Sequence, residues 1–227
     1  YTLSLHDALP ICVPRVNKFI ERPVEMAELE RVLLPERQSC RQKRFVLHGL
    51  GGIGKTQLAV EFTSQHHRRF NAIFWLDGRS KDSLEQSIAS CAGRIPDGQI
   101  SESSRTYSAS SNGDINMVVQ EVLAWLAQED NSQWLLIFDN VDRDYKPHKS
   151  GPEAYDVTDY FSGANHGSIL ITTRLAKLEQ LGDSQQLGKV NEGQARAILQ
   201  TRYKRKYGMF GHHCMDTGVK LIILLQT

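Results

Sequence analysis

An α/β fold with a five-stranded parallel sheet flanked by helices is the architecture that residues 44–190 predict. Two observations carry it. Five short apolar runs alternate with helical patterns, the signature of parallel strands joined by crossover helices. Between the first run and the first helix lies a glycine-rich octet, Gly49-Leu50-Gly51-Gly52-Ile53-Gly54-Lys55-Thr56. Strand, glycine loop and helix in that order give a backbone turn that opens directly onto a helix N-terminus.

Each element follows from its own residues. Residues 2–11 resemble the translation of a sequencing-adapter oligonucleotide and are set aside as an artefact. Residues 12–43 form an N-terminal lead-in segment and helix. There Phe19-Ile20-Glu21-Arg22-Pro23 precedes an amphipathic stripe of Met26, Leu29, Val32 and Leu33. The first strand is read at 45–48, followed by the octet and a helix from Thr56 to about His66. A second strand covers Ala72–Asp77. Leu84, Ile88 and Ala92 then mark a helix that Asp82 or Ser83 can cap. Residues 101–112 are Ser-rich without periodicity and read as a loop. Ile115, Val118, Val119, Val122, Leu123 and Leu126 make the stripe of a third crossover helix. Strands at Trp134–Asp139 and Ser168–Thr173 are short and apolar, as expected of strands buried on both faces. Between them, 141–152 reads as a loop on the ligand side. A weaker strand is read at 186–190. Beyond Val190, Asn191-Glu192-Gly193-Gln194 opens a helix with Ala195, Ile198 and Leu199 on one face. It is read as the start of a helical subdomain at 191–207, with a tail at 208–227.

Composition narrows the classes of function. The chain has 227 residues, 40% hydrophobic and 23% charged, which suits a packed core. Its formal net charge of +1 argues against nucleic acid as a dominant partner. The densest basic cluster, Arg202, Lys204, Arg205 and Lys206, reads as a solvated helix end. Cys12, Cys40, Cys91 and Cys214 form no C-x-x-C pair, which suits reduced thiols in a cytoplasmic protein. No run approaches a membrane span.

The octet fits G-x-x-x-x-G-K-[ST], the phosphate-binding loop. Backbone N–H groups of Gly49, Gly51, Gly52, Ile53 and Gly54 would turn toward a polyphosphate, and Gln57 follows at the helix start. Lys55 would reach the terminal phosphates, and the Thr56 hydroxyl would join a Mg²⁺ shell. The same residues also read as G-x-G-x-x-G, with Asp77 near the place of a ribose-binding acid. A dinucleotide fold has no use for Lys-Thr after the third glycine and leaves Asp139 without a role.

Asp139 ends an apolar strand, and downstream of a phosphate loop such an acid holds Mg²⁺ directly or through water. The next residue is Asn140, an amide that cannot serve as a base. Asp142 would either replace that base or cap the loop. Arg174 follows the Ser168–Thr173 strand, where a guanidinium beside a terminal phosphate would neutralise and sense its charge. The alternative is an ordinary exposed Arg after a strand. Arg22, with Phe19 and Ile20, would frame adenine. No Asn-Lys-x-Asp guanine-reading motif is present, so adenine nucleotides, ADP or ATP, are the expected ligands.

Taken together, these residues resemble the NB-ARC family of signal-transduction (STAND) P-loop NTPases, in the style of fungal NOD-like receptors. The resemblance runs over about 19–202. It covers 19–22, the octet, Phe74-Trp75-Leu76-Asp77, 135–142 and 167–174. It implies a nucleotide-gated switch, closed with ADP and opened by exchange for ATP, with self-association of the full-length parent. It also implies a sheet in which the sensor strand lies between the phosphate-loop and acidic strands. The sequence departs from the family at Asn140, where a second acid is frequent, and hydrolysis is therefore expected to be slow at most. Lys55, Asp139 and Arg174 are the expected catalytic and sensor residues, with Asp142 a weaker candidate. Thr56 and Asp139 are the expected metal ligands.

Overall fold

The computed structural model describes residues 19–36, 41–107, 113–143 and 155–203, with the backbone alone given for 198–203. The adapter-like segment, the tail, most of the 141–152 loop, Cys12, Cys40, Cys214 and the basic cluster's side chains lie outside the described residues.

A five-stranded parallel sheet forms the centre. Its strands are β1 (Lys43–His48), β2 (Ala72–Asp77), β3 (Trp134–Asp139), β4 (Ser168–Thr173) and β5 (Asp183–Gln186), in the order β2-β3-β4-β1-β5. β4, the strand that precedes Arg174, thus lies between β3 and β1, the order that the resemblance implies. β3 and β4 are buried along their whole length. Their side chains alternate between two cores, as a strand period of two dictates. Trp134, Leu136, Phe138, Ile169 and Ile171 face one core. Leu135, Ile137 and Leu170 face the other.

The first core is closed by α3 (Lys81–Cys91) and α5 (Ile115–Leu126), the second by α1 (Pro23–Leu33) and α2 (Lys55–His66). α1 begins at Pro23, whose fixed φ suits a first helical position, and buries Met26, Leu29, Val32 and Leu33 as the stripe predicts. α5 is capped by Asp114, whose carboxylate accepts from Asn116 N–H at 2.9 Å. Trp134 is fully buried, and its indole N–H donates to Leu126 O at 2.8 Å. This bond fixes β3 to the end of α5.

Three local expectations are corrected. Ser80, not Asp82 or Ser83, caps α3, its Oγ accepting from Ser83 N–H at 3.2 Å. The Ser-rich stretch contains a one-turn helix, α4 (Glu102–Arg105), which Ser101 caps in the same way. The fifth strand lies at Asp183–Gln186 instead of 186–190, pairing with β1 from Phe45↔Asp183 to His48↔Gln186. It is a polar edge strand. The apolar residues that drew the reading downstream, Leu187 and Val190, are buried just after it. Leu187 N–H still donates to His48 O at 2.7 Å, ending the ladder.

The last described element is α6 (Glu192–Tyr203). Asn191 and Gln194 form a reciprocal cap. Gln194 N–H donates to Asn191 Oδ1 at 2.8 Å, and Asn191 N–H donates to Gln194 Oε1 at 2.9 Å. Ala195 is fully buried, and Gln194 Nε2 reaches Glu21 O at 3.0 Å. The helix start therefore docks on the lead-in segment.

Candidate nucleotide-binding site

Loops leaving the C-terminal ends of β1, β2, β3 and β4 meet around one cleft of about 750 Å³. This is where open parallel sheets bind ligands, and the volume is in the range of small-molecule sites. The octet leaves β1 and enters α2 through Gly54, whose φ of 102° is open to glycine at little cost. Lys55 is buried, and its Nζ donates to Gly49 O at 2.7 Å and Leu50 O at 2.8 Å. Burial pushes the Lys55 ammonium below its usual pKa, and Arg174 acts in the same direction, while Asp142 and Asp139 oppose them. The site thus holds a cation under desolvation, which a polyanion would relieve.

Asp139 joins three elements. Its Oδ1 accepts from Thr56 Oγ1 of α2 at 2.8 Å and from Thr172 Oγ1 of β4 at 2.6 Å. Its Oδ2 accepts from Asn140 Nδ2 at 3.1 Å. Burial pushes this carboxyl up, the Thr172 and Thr56 hydroxyls pull it back, and Asp77 and Asp142 raise it further. Asn140 is the one non-glycine residue with positive φ, 62°, among the described residues. Asn tolerates that conformation. It turns the chain out of β3, and its N–H donates to Thr172 Oγ1 at 3.0 Å.

Arg174 leaves β4 directly onto Asp142. Its backbone N–H reaches Asp142 Oδ1 at 2.7 Å and its Nε reaches Oδ2 at 2.6 Å. Asp142 is therefore the carboxylate that positions Arg174. The loop carrying it is tied to β4 by Val141 N–H to Thr172 O at 2.9 Å and Thr173 Oγ1 to Val141 O at 2.6 Å.

Of the residues expected from sequence, Gly51, Gly52, Gly54, Lys55, Thr56, Gln57, Asp142 and Arg174 line the cleft. Asp139 lies beneath Thr56, bonded to it. Gly49 and Ile53 contribute carbonyls that hold Lys55 and Arg22. Arg22 is buried behind the loop, with Nη2 donating to Ile53 O at 3.3 Å and Nη1 to Gly188 O at 3.0 Å. It braces the octet from behind and has no place on the cleft wall. Two lining residues went unread in the sequence, Arg79 and Arg143. Both stand in the first turn after a sheet strand, β2 or β3, and that position was the available signal.

The residues fit a nucleotide. Gln57 lines the cleft, and its buried Oε1 accepts no hydrogen bond among the described residues, an acceptor left over for a ligand donor. No group of three or more His, Cys, Asp or Glu side chains converges on a metal position among the described residues. A divalent ion would rest on Asp139 and Thr56 and take its remaining ligands from phosphate and water, which is the usual habit of Mg²⁺.

The chain is 26% identical over 182 residues to a nucleotide-binding leucine-rich repeat (NLR)-like protein of the fungus Hyaloscypha variabilis. The chain is thus related in sequence to a fungal NLR-like protein, and its fold is that of a P-loop NTPase. The match covers 76% of this chain and 17% of the relative, so the chain spans a small part of that relative's length. No family model matches the chain.

Solved structures support the fold. A STAND protein with a tetratricopeptide repeat sensor from Pyrococcus horikoshii matches with a TM-score of 0.53 at 17% identity, over 94% of this chain and 29% of that one. The Orc1 protein of Aeropyrum pernix, solved in complex with DNA, matches with a TM-score of 0.57 at 20% identity, over 89% and 53%. Cdc6p of Pyrobaculum aerophilum matches with a TM-score of 0.56 at 16% identity, over 88% and 53%. Among the described residues, no helix is long and apolar enough to cross a membrane.

Proposed function

We propose that this domain is a nucleotide-gated signalling switch. It binds ADP or ATP, exchanges one for the other, and hydrolyses ATP slowly at most. In the full-length parent, exchange would control open and closed states and self-association. The observation that carries this reading is the Asp139 node. One carboxylate ties the octet (Thr56), the acidic strand and the sensor strand (Thr172) together, so occupancy of the site bears on all three at once.

Lys55 would bind the terminal phosphates, moving from the carbonyls of Gly49 and Leu50 onto the ligand. Arg174, held by Asp142, would carry the state of the terminal phosphate to β4. Mg²⁺, held by Thr56 and Asp139, would supply charge neutralisation of the phosphates. Slow turnover follows from Asn140 and Asp142. Asn140 offers an amide where a base would stand, and the Asp142 carboxylate is engaged by Arg174.

Steady-state ATP hydrolysis tests this directly. Turnover below ~1 s⁻¹, the low end of enzyme rates, is expected. Turnover well above that favours a catalytic ATPase or kinase. Asn140→Asp supplies the missing carboxylate in a backbone conformation that Asp also tolerates. It is expected to raise turnover by up to about a hundredfold, the low end of what a positioned general base contributes. A folded Asn140→Asp protein with unchanged turnover would show that something other than the absent base sets the rate.

A further inference from the structure

The cleft wall built by the loop after β2 has no part in the function proposed above. Arg79 lines that wall, and Asp77 grips it along one edge. Nε of Arg79 donates to Asp77 Oδ1 at 2.9 Å and Nη2 to Oδ2 at 2.5 Å, while its backbone N–H reaches Oδ1 at 3.1 Å. These hydrogen bonds hold the Asp77 carboxyl below its usual range against the opposing effect of burial.

The backbone of this turn is pinned as firmly. Gly78 N–H donates to Asp139 O at 2.7 Å, Tyr155 Oη–H donates to Gly78 O at 2.5 Å, and Arg143 Nε donates to Arg79 O at 3.1 Å. A side chain at Gly78 has no room, since its Cβ would lie 2.6 Å from Val141 Cγ2 and 3.0 Å from Asp139 O.

So much fixing is not explained by stability. Arg79 is 71% exposed, and ion pairs at such positions contribute little to folding. What the clamp does is orient a guanidinium. One edge is occupied by Asp77, and Nη1 makes no hydrogen bond among the described residues. A planar fork held by one edge presents its other donors in a fixed geometry, which suits a phosphate. The position is also specific. Gly78 is bonded to the last residue of β3, so Arg79 is rooted at the end of the strand that carries Asp139. The Arg79 side chain and the Lys55–Thr56 pair line the same cleft.

We propose that Arg79, oriented by Asp77, contacts the terminal phosphate of a bound nucleoside triphosphate, so that the loop after β2 favours triphosphate over diphosphate. The inference rests on the nucleotide-binding reading above. Arg174 and Arg79 then approach the same phosphate from β4 and β2, strands on either side of β3. Asp77 acts as a positioning residue.

The test is calorimetric titration of the 227-residue chain with ADP and with a non-hydrolysable ATP analogue, both with Mg²⁺. Arg79→Ala is expected to weaken the analogue about tenfold, the low end for a hydrogen bond to a charged group, with ADP affinity retained. Arg79→Lys keeps the charge without the fork and is expected to restore part of the preference. Asp77→Asn is expected to lower the same ratio in the same direction. Wild type that binds both ligands, with Arg79→Ala leaving their ratio unchanged, overturns this inference and leaves the switch standing. Equal weakening of both ligands also overturns it. Wild type that binds neither overturns both readings. Melting temperatures of the free variants separate loss of fold from loss of contact.

Discussion

Lys55→Ala is expected to abolish binding of both ADP and ATP without unfolding the domain. Truncating one partner of a buried charge pair costs about 3–5 kcal/mol, or roughly two to three and a half decades of affinity. The sign of the stability effect is opposite. Burial lowers the Lys55 pKa in the folded protein, so the folded state disfavours the charged form. The charged lysine therefore weighs against folding below its folded pKa, and that cost fades as pH rises toward the unfolded value near 10.5. At neutral pH the free Lys55→Ala protein is expected to melt no lower than wild type through this charge. Calorimetry for binding and a thermal scan for the free protein check the two halves. Retained affinity, or a collapsed fold, contradicts the account.

Gly167→Ala is expected to be the most damaging single methyl in the domain. Gly167 has a φ of 81°, and a Cβ there would lie 2.3 Å from Cε2 and Cζ2 of Trp134. The indole cannot yield easily, because it is fully buried and its N–H holds Leu126 O. Overpacking costs about 1–3 kcal/mol and a left-handed backbone at a residue with Cβ about 1–2 kcal/mol more. The sum approaches the total stability of a marginal domain. At 2–4 °C per kcal/mol for a chain of this size, a fall in melting temperature of about 10 °C is expected. A shift of a degree or two would mean that β4 and Trp134 are packed differently. The glycine that opens the Gly167–Arg174 motif thus acts on the core, while Arg174 at its far end lines the cleft.

The parts of the fold that the sequence announced are those whose residues are buried on both sides. β3 and β4 carry apolar runs, Trp134 to Phe138 and Ile169 to Ile171, because cores press on both faces, and that pattern is visible in isolation. β5 carries Asp183, Ser184, Gln185 and Gln186 at an exposed edge, held in the sheet by pairing with β1. Nothing in those four residues distinguishes them from a loop. The apolar Leu187 and Val190 marked the neighbourhood and misplaced the strand.

The site divides in the same way. Lys55, Thr56 and Asp139 are legible because the local backbone needs those residue types at fixed spacing. The partners of the other residues depend on folding. Arg22 meets Gly188 O across 166 positions, and only the folded sheet brings them together. Asp142 meets Arg174 by a contact 32 residues apart, a partner that neither of the two roles read from the sequence named. Arg79 looks like any solvated arginine after a turn until Asp77, Tyr155 and Arg143 are seen to hold it.

The central claim is that the Lys55, Thr56 and Asp139 cluster binds an adenine nucleotide. Thermal unfolding of the 227-residue chain with and without Mg-ADP tests it most directly. Ligand that binds the native state at about a hundred times Kd stabilises it by roughly 2.7 kcal/mol. For a domain of this size that is a rise in melting temperature of about 5–10 °C, absent in Lys55→Ala. An unchanged melting temperature at saturating Mg-ADP and Mg-ATP, in a protein that unfolds cooperatively, would contradict the account.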